Sequence, residues 1–451
     1  MKRRYFGTDG VRGRAGEHPI TEEFAEKLGR AAARVLGGGK SGVVMAIGRD
    51  TRASGPELER ALARGITSAG GDVRLLGVLP TPGAAALVKA DGLTAGAVIS
   101  ASHNPAADNG IKFFAGDGYK LPDETELAIE SALDEPPAAT DRGTVSTQDD
   151  ATERYVRHAL ASWPQGMSLK GLHIAVDCAN GAAFRTTPEA LRALGAEVAL
   201  FHAEPDGANI NLGCGSTEAG EIGRLVRETG AQVGLAHDGD ADRLLLCDET
   251  GDALDGDELL AIAGLDLLRD GKLANSTIVA TVMSNLGLNE AVENAGGNVV
   301  RTAVGDRYVL EAMRAGGHIL GGEQSGHMIF AEHGTTGDGL VSALQILRIM
   351  AATGKPLSEL RRALSKYPQA QRGVMVRAKP PLEELPAVQQ GIADAEAAVA
   401  PRGRVLVRYS GTEPKLRILL EGRDAAMLND QADRIAETIR QAIGQTPTQS
   451  R

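Results

Sequence analysis

The sequence predicts an α/β chain, with repeated strand–turn–helix units over its first three-quarters and a smaller α+β domain at the C-terminus. Three short apolar runs break into polar turns: Val43–Ile47 into Gly48–Arg52, Leu172–Val176 into Asp177–Gly181, and Thr277–Val282 into Met283–Gly287. Each is the signal of a buried strand entering a helix-like segment. Their starts lie roughly 105 to 130 residues apart, too far for a solenoid and suited to repeated domains. After residue 368 the pattern changes to strand-like Gly373–Ala378, Arg404–Tyr409 and Leu416–Glu421 with helical Leu382–Val399 and Ala425–Ile443.

The helices between the runs carry their own punctuation. Thr21 caps a helix whose Phe24, Leu28, Ala32, Val35 and Leu36 share one face and which ends at Gly37-Gly38-Gly39. Pro188–Leu194 and Ser216–Thr229 read as further helices closed by glycine. Strands alternating with helices imply mostly parallel sheets covered on both faces. Linkers are expected at 162–166, near 255–257 and near 366–368. They give domains at 1–160, 161–255, 256–368 and 369–451, with a frayed tail at 445–451.

Composition bounds the function. A chain of 451 residues with 42% hydrophobic and 24% charged residues is globular and long enough for several domains. Aromatics are 3% and glycines number 57, so cores are built from Ala, Val, Leu and Ile. A net charge of −11 repels a phosphate backbone and argues against nucleic acid. No apolar run reaches the roughly 18 residues of a bilayer span, and basic Met1–Arg4 precedes no apolar stretch, so neither a membrane nor a secretory signal is expected. Cys178, Cys214 and Cys247 are odd in number and lack metal-ligand spacing. A soluble, reduced, cytoplasmic protein is expected.

The strongest chemical signal is Asp238-Gly239-Asp240-Ala241-Asp242-Arg243. In an extended segment alternate side chains share a face, so three carboxylates converge on one hard cation such as Mg²⁺. An EF-hand is the nearest rival, since Glu249 fills its twelfth position. Its sixth position is Arg243 where glycine is needed, and Leu244–Cys247 reads as a strand. A solvated acidic turn fits poorly between Leu235 and the leucine run. Ser100-Ala101-Ser102-His103-Asn104-Pro105 follows the strand-like Ala97–Ile99 and delivers a serine to the carboxyl edge of a sheet, where α/β folds place their sites. A capping serine in an ordinary turn is the plainer alternative. A Ser-His-Asp hydrolase is disfavoured because no G-x-S-x-G elbow exists.

Two segments look built for phosphate, with surface turns the alternative for each. Arg408-Tyr409-Ser410-Gly411-Thr412-Glu413-Pro414, with Arg417 beyond, offers guanidinium, hydroxyl and glycine-exposed amide groups. Gly7–Gly13 presents Arg12 between glycines, and neither segment is a P-loop. Gly321–His327 sets Glu323, Ser325 and His327 among glycines, as a hydroxyl-reading loop would, with a satisfied core histidine the plainer reading of His327.

Together these segments resemble one family. Phe6–Gly13, Ile99–Pro105, Asp238–Arg243, Gly322–His327 and Arg408–Pro414 occur in the order found in α-D-phosphohexomutases. FGTDGVRG at the start, DNGIKFF at 108–114, VDCANGA at 176–182, VGDRY at 304–308 and GGEQSGH at 321–327 resemble the branch acting on glucosamine phosphates. The resemblance covers essentially the whole chain; Lys415-Leu416 departs from the more apolar pair common there. It implies a four-domain architecture of three similar mixed α/β domains plus the smaller α+β domain around a central cleft. The implied activity is interconversion of glucosamine 6-phosphate and glucosamine 1-phosphate through a 1,6-bisphosphate, on the route to UDP-N-acetylglucosamine. Phosphomannomutase/phosphoglucomutase activity is the alternative within the family. A non-catalytic Ca²⁺-binding module, with no phosphate on Ser102, is the alternative outside it.

The resemblance also assigns roles. Ser102 is the phosphoserine, primed by a sugar 1,6-bisphosphate or another phosphoryl donor. Asp238, Asp240 and Asp242 hold one Mg²⁺ per chain, with a Ser102 phosphate oxygen completing the site. Lys112 and His327 stand where the general acid and base stand, and Arg12 and Arg49 lie near the transferring phosphoryl group. Glu323 and Ser325 read sugar hydroxyls, and Arg408, Ser410, Gly411, Thr412 and Arg417 hold the non-reacting phosphate. A small phosphosugar is the expected partner, and a homodimer is admitted.

Overall fold

A computed structural model describes residues 3–38, 42–136, 143–410 and 414–444. The expected tail at 445–451, Gly411 and Thr412 lie outside them. The chain divides into two compact units, one running to Ser284 and resuming over Val292–Leu364, the other comprising Asn285–Ala291 and the residues from Ser365 onward.

The first unit contains three sheets. The first runs β1 (Val11–Arg14), β5 (Asp108–Ala115), β4 (Ala95–Ile99), β2 (Val44–Arg49), β3 (Asp72–Val78) and β6 (Val145–Thr147). β2 pairs in parallel with β3 and β4, whereas β5 runs antiparallel to β4 and β1, so the sheet is mixed. Every residue of β4 is buried, as a central strand covered on both faces requires. Helices Glu22–Gly37 and Gly55–Ser68 pack so closely that a Cβ on Gly29 would meet the Leu62 carbonyl at 2.3 Å, and one on Gly65 the Glu26 carbonyl at 2.0 Å. Thr21 accepts the Phe24 amide and Gly38 closes the first helix in a left-handed conformation, as its sequence predicts.

The second sheet runs β11 (Ala253–Leu254), β10 (Leu245–Cys247), β9 (Val233–Ala236), β7 (His173–Asp177) and β8 (Glu197–Phe201). The third runs β13 (Asn298–Thr302), β12 (Thr277–Thr281), β14 (Leu320–Gly322) and β15 (Met328–Phe330). Two expected linkers are fixed joints. Asp255 is the N-cap of the helix Gly256–Arg269, in a capping box with Glu258, and a Cβ on Gly256 would lie 2.0 Å from the Glu323 carbonyl. Trp163 is buried and donates its indole N–H to the Met167 carbonyl at 3.1 Å.

The second unit is an antiparallel sheet in the order β16 (Gln369–Met375), β18 (Lys415–Glu421) and β17 (Arg404–Tyr409), with helices Pro386–Val399 and Ala425–Ile443. The strand expected at 373–378 starts earlier because Gln369–Met375 pairs residue for residue with β18. The helix expected from Leu382 starts at Pro386, after a separate single turn at Leu382–Glu384, since proline suits a first helical turn. Asn285 exchanges two 2.9 Å hydrogen bonds with the backbone of Tyr367, which ties the start of the helix Leu286–Asn294 to this unit.

Candidate active site

β4 ends at Ile99 and releases the serine loop. Ser102 is buried with a φ of 53°, a left-handed conformation that costs a β-carbon residue of order 1 to 3 kcal/mol unless its surroundings fix it. Its N–H donates to Ser100 Oγ at 2.9 Å, and Ser100 donates to Asp50 at 2.6 Å. This conformation brings Ser102 Oγ to Asp238 Oδ2 at 2.5 Å.

Asp238 is the second residue of the loop between β9 and β10. The carboxylates converge, but not because the segment is extended: Ala241 adopts a φ of 57°, and the loop curls around the space that Asp238, Asp240 and Asp242 share. One oxygen of each lies within 4.8 Å of the others, and all three side chains are buried. Burial, then Asp242 and Asp240, push Asp238 up to about 8. Oδ1 of Asp240 and Oδ1 of Asp242 are buried without a hydrogen-bond partner. Converging all-oxygen ligands, mutual repulsion and orphaned oxygens are what a hard divalent cation satisfies, so these residues fit Mg²⁺.

Basic groups from separate elements surround the carboxylates. Lys112 on β5 donates to Asp240 Oδ2 at 2.7 Å and lies 3.5 Å from Asp9 and 3.7 Å from Asp242. Burial opposes its charge, but Asp240, Asp9 and Asp242 outweigh burial and raise it above the usual lysine value. Arg12 pairs with Asp9, and Asp9, Asp240 and Asp242 raise it against burial. His327 Nδ1 lies 3.6 Å from Asp242, and its Nε2 is 3.6 Å from Asp306 and accepts the Gly337 amide at 3.1 Å. Burial works against its charge, yet Asp242 and Asp306 push it up to about 9. In this arrangement Nε2, which accepts the Gly337 amide, is the nitrogen free to take up a proton, and Nδ1 faces Asp242. Lys120 bridges Asp9 and Asp306.

The glycine-rich loop 321–327 joins this cluster through backbone contacts. The Leu244 amide donates to the Gly326 carbonyl and the Gly256 amide to the Gln324 carbonyl, each at 3.0 Å. A Cβ on Gly326 would sit 2.1 Å from the Leu244 carbonyl, so glycine is required where the loop meets the aspartate segment. Glu323 accepts the Gly305 amide at 3.1 Å, and Ser325 is exposed at the tip. Arg49 stands apart: it faces Glu59 at 3.4 Å and donates to the Asp50 carbonyl, and no hydrogen bond or ion pair among the described residues ties it to Ser102 or the aspartates.

Within the second unit, β17 and β18 place Arg408 directly opposite Arg417. Like charges facing across a ladder are unfavourable, and burial followed by Arg417 lowers Arg408 below the usual arginine value. Arg408 Nε is buried without a hydrogen-bond partner. Ser410 is buried, and Lys379 donates to its carbonyl at 2.6 Å. An anion between two facing guanidiniums would relieve their repulsion.

A second cluster, Asp177, His202 and Cys214, also lies within 4.8 Å. Asp177 already accepts the amides of Ala179 and Gly215 at 2.8 Å and faces His202 at 3.1 Å. Burial and Asp177 push the Cys214 thiol up to about 12, so it stays protonated and the cluster fastens loops.

Four family profiles match in series: phosphoglucomutase/phosphomannomutase alpha/beta/alpha domain I at 3–139, domain II at 153–251, domain III at 255–367 and the C-terminal domain at 372–438. A phosphoglucosamine mutase of Syntrophotalea carbinolica is 51% identical over 98% of this chain and 99% of its own length. The chain belongs to the phosphohexomutase family. A crystal structure of a phosphoglucomutase/phosphomannomutase family protein from Burkholderia thailandensis superposes with a TM-score of 0.82 at 25% identity, covering 96% of this chain and 97% of that one. Aspergillus fumigatus N-acetylphosphoglucosamine mutase, solved with GlcNAc-6P and magnesium, shares the fold at a TM-score of 0.70 and 18% identity, over 98% and 96% of the two chains.

In this phosphohexomutase the structure brings together Ser102, the three aspartates, Lys112, Arg12 and His327. Sequence reading missed Asp9, Lys120, Asp306 and Arg243 as members of the cluster. Arg243 Nε lies 3.9 Å from Asp242 and 4.0 Å from Asp238, and its backbone N–H donates to Asp238 Oδ1 at 3.3 Å. Arg243 was visible inside the aspartate motif, Asp9 inside FGTDGVRG and Asp306 inside VGDRY, without a role being given to them; Lys120 lies in none of the quoted motifs.

Proposed function

We propose that the chain interconverts glucosamine 6-phosphate and glucosamine 1-phosphate, with Ser102 as the phosphoryl carrier. The observation that carries this reading is the 2.5 Å contact of Ser102 Oγ with Asp238, inside a cluster of three buried carboxylates and their basic neighbours. O1 of glucosamine 6-phosphate gives up its proton and bonds to phosphorus as the Ser102 Oγ–P bond breaks and Oγ takes up a proton, with Lys112 and His327 the two groups placed to exchange these protons, giving the 1,6-bisphosphate. After the sugar reorients, the phosphoryl group on O6 returns to Ser102 Oγ. Asp238, Asp240, Asp242 and a phosphoserine oxygen would hold Mg²⁺, which would neutralise charge on the transferring phosphoryl group.

Residues of the chain do the rest. Lys112, kept protonated by Asp240 and Asp9, stands ready to donate, and His327 Nε2 is the complementary exchange position. Arg12 and Arg49 are assigned to the transferring phosphoryl group, Glu323 and Ser325 to the sugar hydroxyls, and Arg408, Ser410, Gly411, Thr412 and Arg417 to the phosphate that stays put. The GlcNAc-6P and magnesium named for the Aspergillus relative support a phosphosugar substrate and Mg²⁺ here. Domains at 1–160, 161–255, 256–368 and 369–451, cytoplasmic residence and a homodimer belong to the same proposal. No helix among the described residues is long and apolar enough to cross a membrane.

The test compares kcat/KM on glucosamine, glucose and mannose 6-phosphates and maps the phosphopeptide. Preference for the amino sugar, phosphate on Ser102 and loss of turnover in Ser102→Ala are expected. Preference for glucose or mannose phosphate would move the chain to the phosphomannomutase/phosphoglucomutase reading, and phosphate on Ser100 would overturn the carrier.

A further inference from the structure

Arg52 is fully buried, yet it touches none of the metal-binding carboxylates and none of the basic groups around them. A guanidinium has five N–H donors, and here all five are used. Nε donates to Asp50 Oδ2 at 2.8 Å. Nη1 donates to the carbonyls of Asp108, at 2.9 Å, and Pro105. Nη2 donates to the carbonyls of Ser102 at 2.9 Å and Asn104 at 2.8 Å. Three of the five bonds thus end on the backbone of the serine loop and a fourth on Asp108, the first residue of β5.

Asn211 reaches the same two carbonyls from the second α/β segment. Its Nδ2 donates to Ser102 O at 2.9 Å and to Asn104 O at 3.1 Å. Asn211 is itself held in a left-handed conformation with φ of 58° and donates its own amide to the Ala179 carbonyl at 2.9 Å. A Cβ on Gly239 would lie 2.6 Å from Ser102 O and 2.9 Å from Asn211 Nδ2, so the aspartate loop closes over this junction. A carbonyl oxygen has two lone pairs, and both on Ser102 are taken.

We infer that Arg52 and Asn211 are positioning residues that lock the Ser102 carbonyl and so aim Oγ at the aspartate cluster. The inference rests on the reading of Ser102 as phosphoryl carrier. Fixing the peptide that follows Ser102 sets its ψ, and the Ser102 N–H on Ser100 Oγ sets its φ. Together these hold a conformation the serine would not adopt alone. The carbonyl therefore faces Arg52 and Asn211 while the hydroxyl faces Asp238. Misplacing a reacting oxygen by about 1 Å costs on the order of a hundredfold in rate, which is the scale on which such a lock acts.

The experiment uses Asn211→Ala and Arg52→Lys in the full chain with Mg²⁺, measuring kcat, KM for glucosamine 6-phosphate, and the ³¹P resonance of the phosphoserine. The expected result is a fall in kcat of roughly ten- to a hundredfold, KM within about twofold of wild type, and a shifted or broadened ³¹P signal. Arg52→Lys removes two of the five donors and the fork geometry and is the harsher change; if it does not fold, Asn211→Ala decides alone. Phosphate mapped to Ser102 together with unchanged kcat and an unchanged ³¹P resonance in folded Asn211→Ala would overturn the positioning role. Phosphate mapped to another residue would overturn the carrier reading and this inference with it.

Discussion

Replacing Asp238 by asparagine tests the metal site through stability, with a change of sign between two conditions. In metal-free protein, burial and the carboxylates of Asp242 and Asp240 push Asp238 from 3.8 up to about 8. A carboxyl raised in the folded state makes the native protein bind more protons than the unfolded one, so its stability falls as pH rises from about 4 toward 8. At pH 7 the penalty is bounded by about 3.2 pH intervals at about 1.36 kcal/mol each, or ~4 kcal/mol. Asparagine removes that penalty and weakens the contacts with Ser102 and the Arg243 amide, about 1 kcal/mol each, leaving a net gain of ~2 kcal/mol. Saturating Mg²⁺ reverses the order. A cation at about 100 times its Kd stabilises the wild type by about 2.7 kcal/mol and should do far less for the variant. Urea unfolding at pH 7, in EDTA and in Mg²⁺, reads both arms, and the pH slope of the metal-free wild type should flatten in Asp238→Asn. A variant less stable than wild type in EDTA that keeps the full Mg²⁺ shift would refute the reasoning.

Arg408→Ala and Arg417→Ala should each raise KM for the sugar phosphate more than they lower kcat, costing roughly 1.5 to 3 kcal/mol in kcat/KM; steady-state kinetics showing neither parameter changed would remove substrate phosphate from this strand pair. Because the close contact with Asp177, at 3.1 Å, raises His202, native protein holds the extra proton, and stability from this pair is present below about pH 6.5 and lost as pH rises through the folded value. Unfolding curves between pH 6 and 9 should show this slope, at most about 1.4 kcal/mol per pH unit, and His202→Asn, which tolerates the φ of 46°, should abolish it.

What was legible in the sequence is what local chemistry writes. Thr21 and Gly38 bracket a helix because capping depends on neighbours in the chain, and Arg404–Tyr409 reads as a strand with bounds that the structure keeps. The aspartate motif was legible as a metal site for a partly mistaken reason: convergence comes from the left-handed turn at Ala241, not from extended alternation. Asp9, Lys120 and Asp306 belong to different segments, and only folding brings them to one salt-bridged point. The Asn285–Ala291 segment read as the sequel of β12, because its attachment to Tyr367 is made by one asparagine side chain, 82 residues away. Arg52 gave no signal of its role, since a guanidinium that grips four carbonyls looks, in sequence, like any arginine in a polar turn.

The charges of the cluster constrain how it can be loaded. Counted fully ionised, Asp9, Asp238, Asp240, Asp242, Asp306 and Glu323 supply six negative charges and Arg12, Lys112, Lys120, Arg243 and protonated His327 five positive ones, a sum of −1; with Asp238 protonated, as burial and its neighbours hold it in the metal-free protein at pH 7, the sum is 0. Mg²⁺ adds two positive charges, and a phosphoserine removes about 1.5 to 2 at neutral pH, so loading both leaves the balance close to where it began. Loading only one does not: the ion without the phosphate leaves a net positive site, and the phosphate without the ion stacks a dianion against Asp238. Ion and phosphoryl group should therefore bind cooperatively, each raising the affinity for the other. The same balance leaves little charge to hold a second phosphate, which a bisphosphate carries throughout the reaction. That anion needs positive charge from residues outside this cluster.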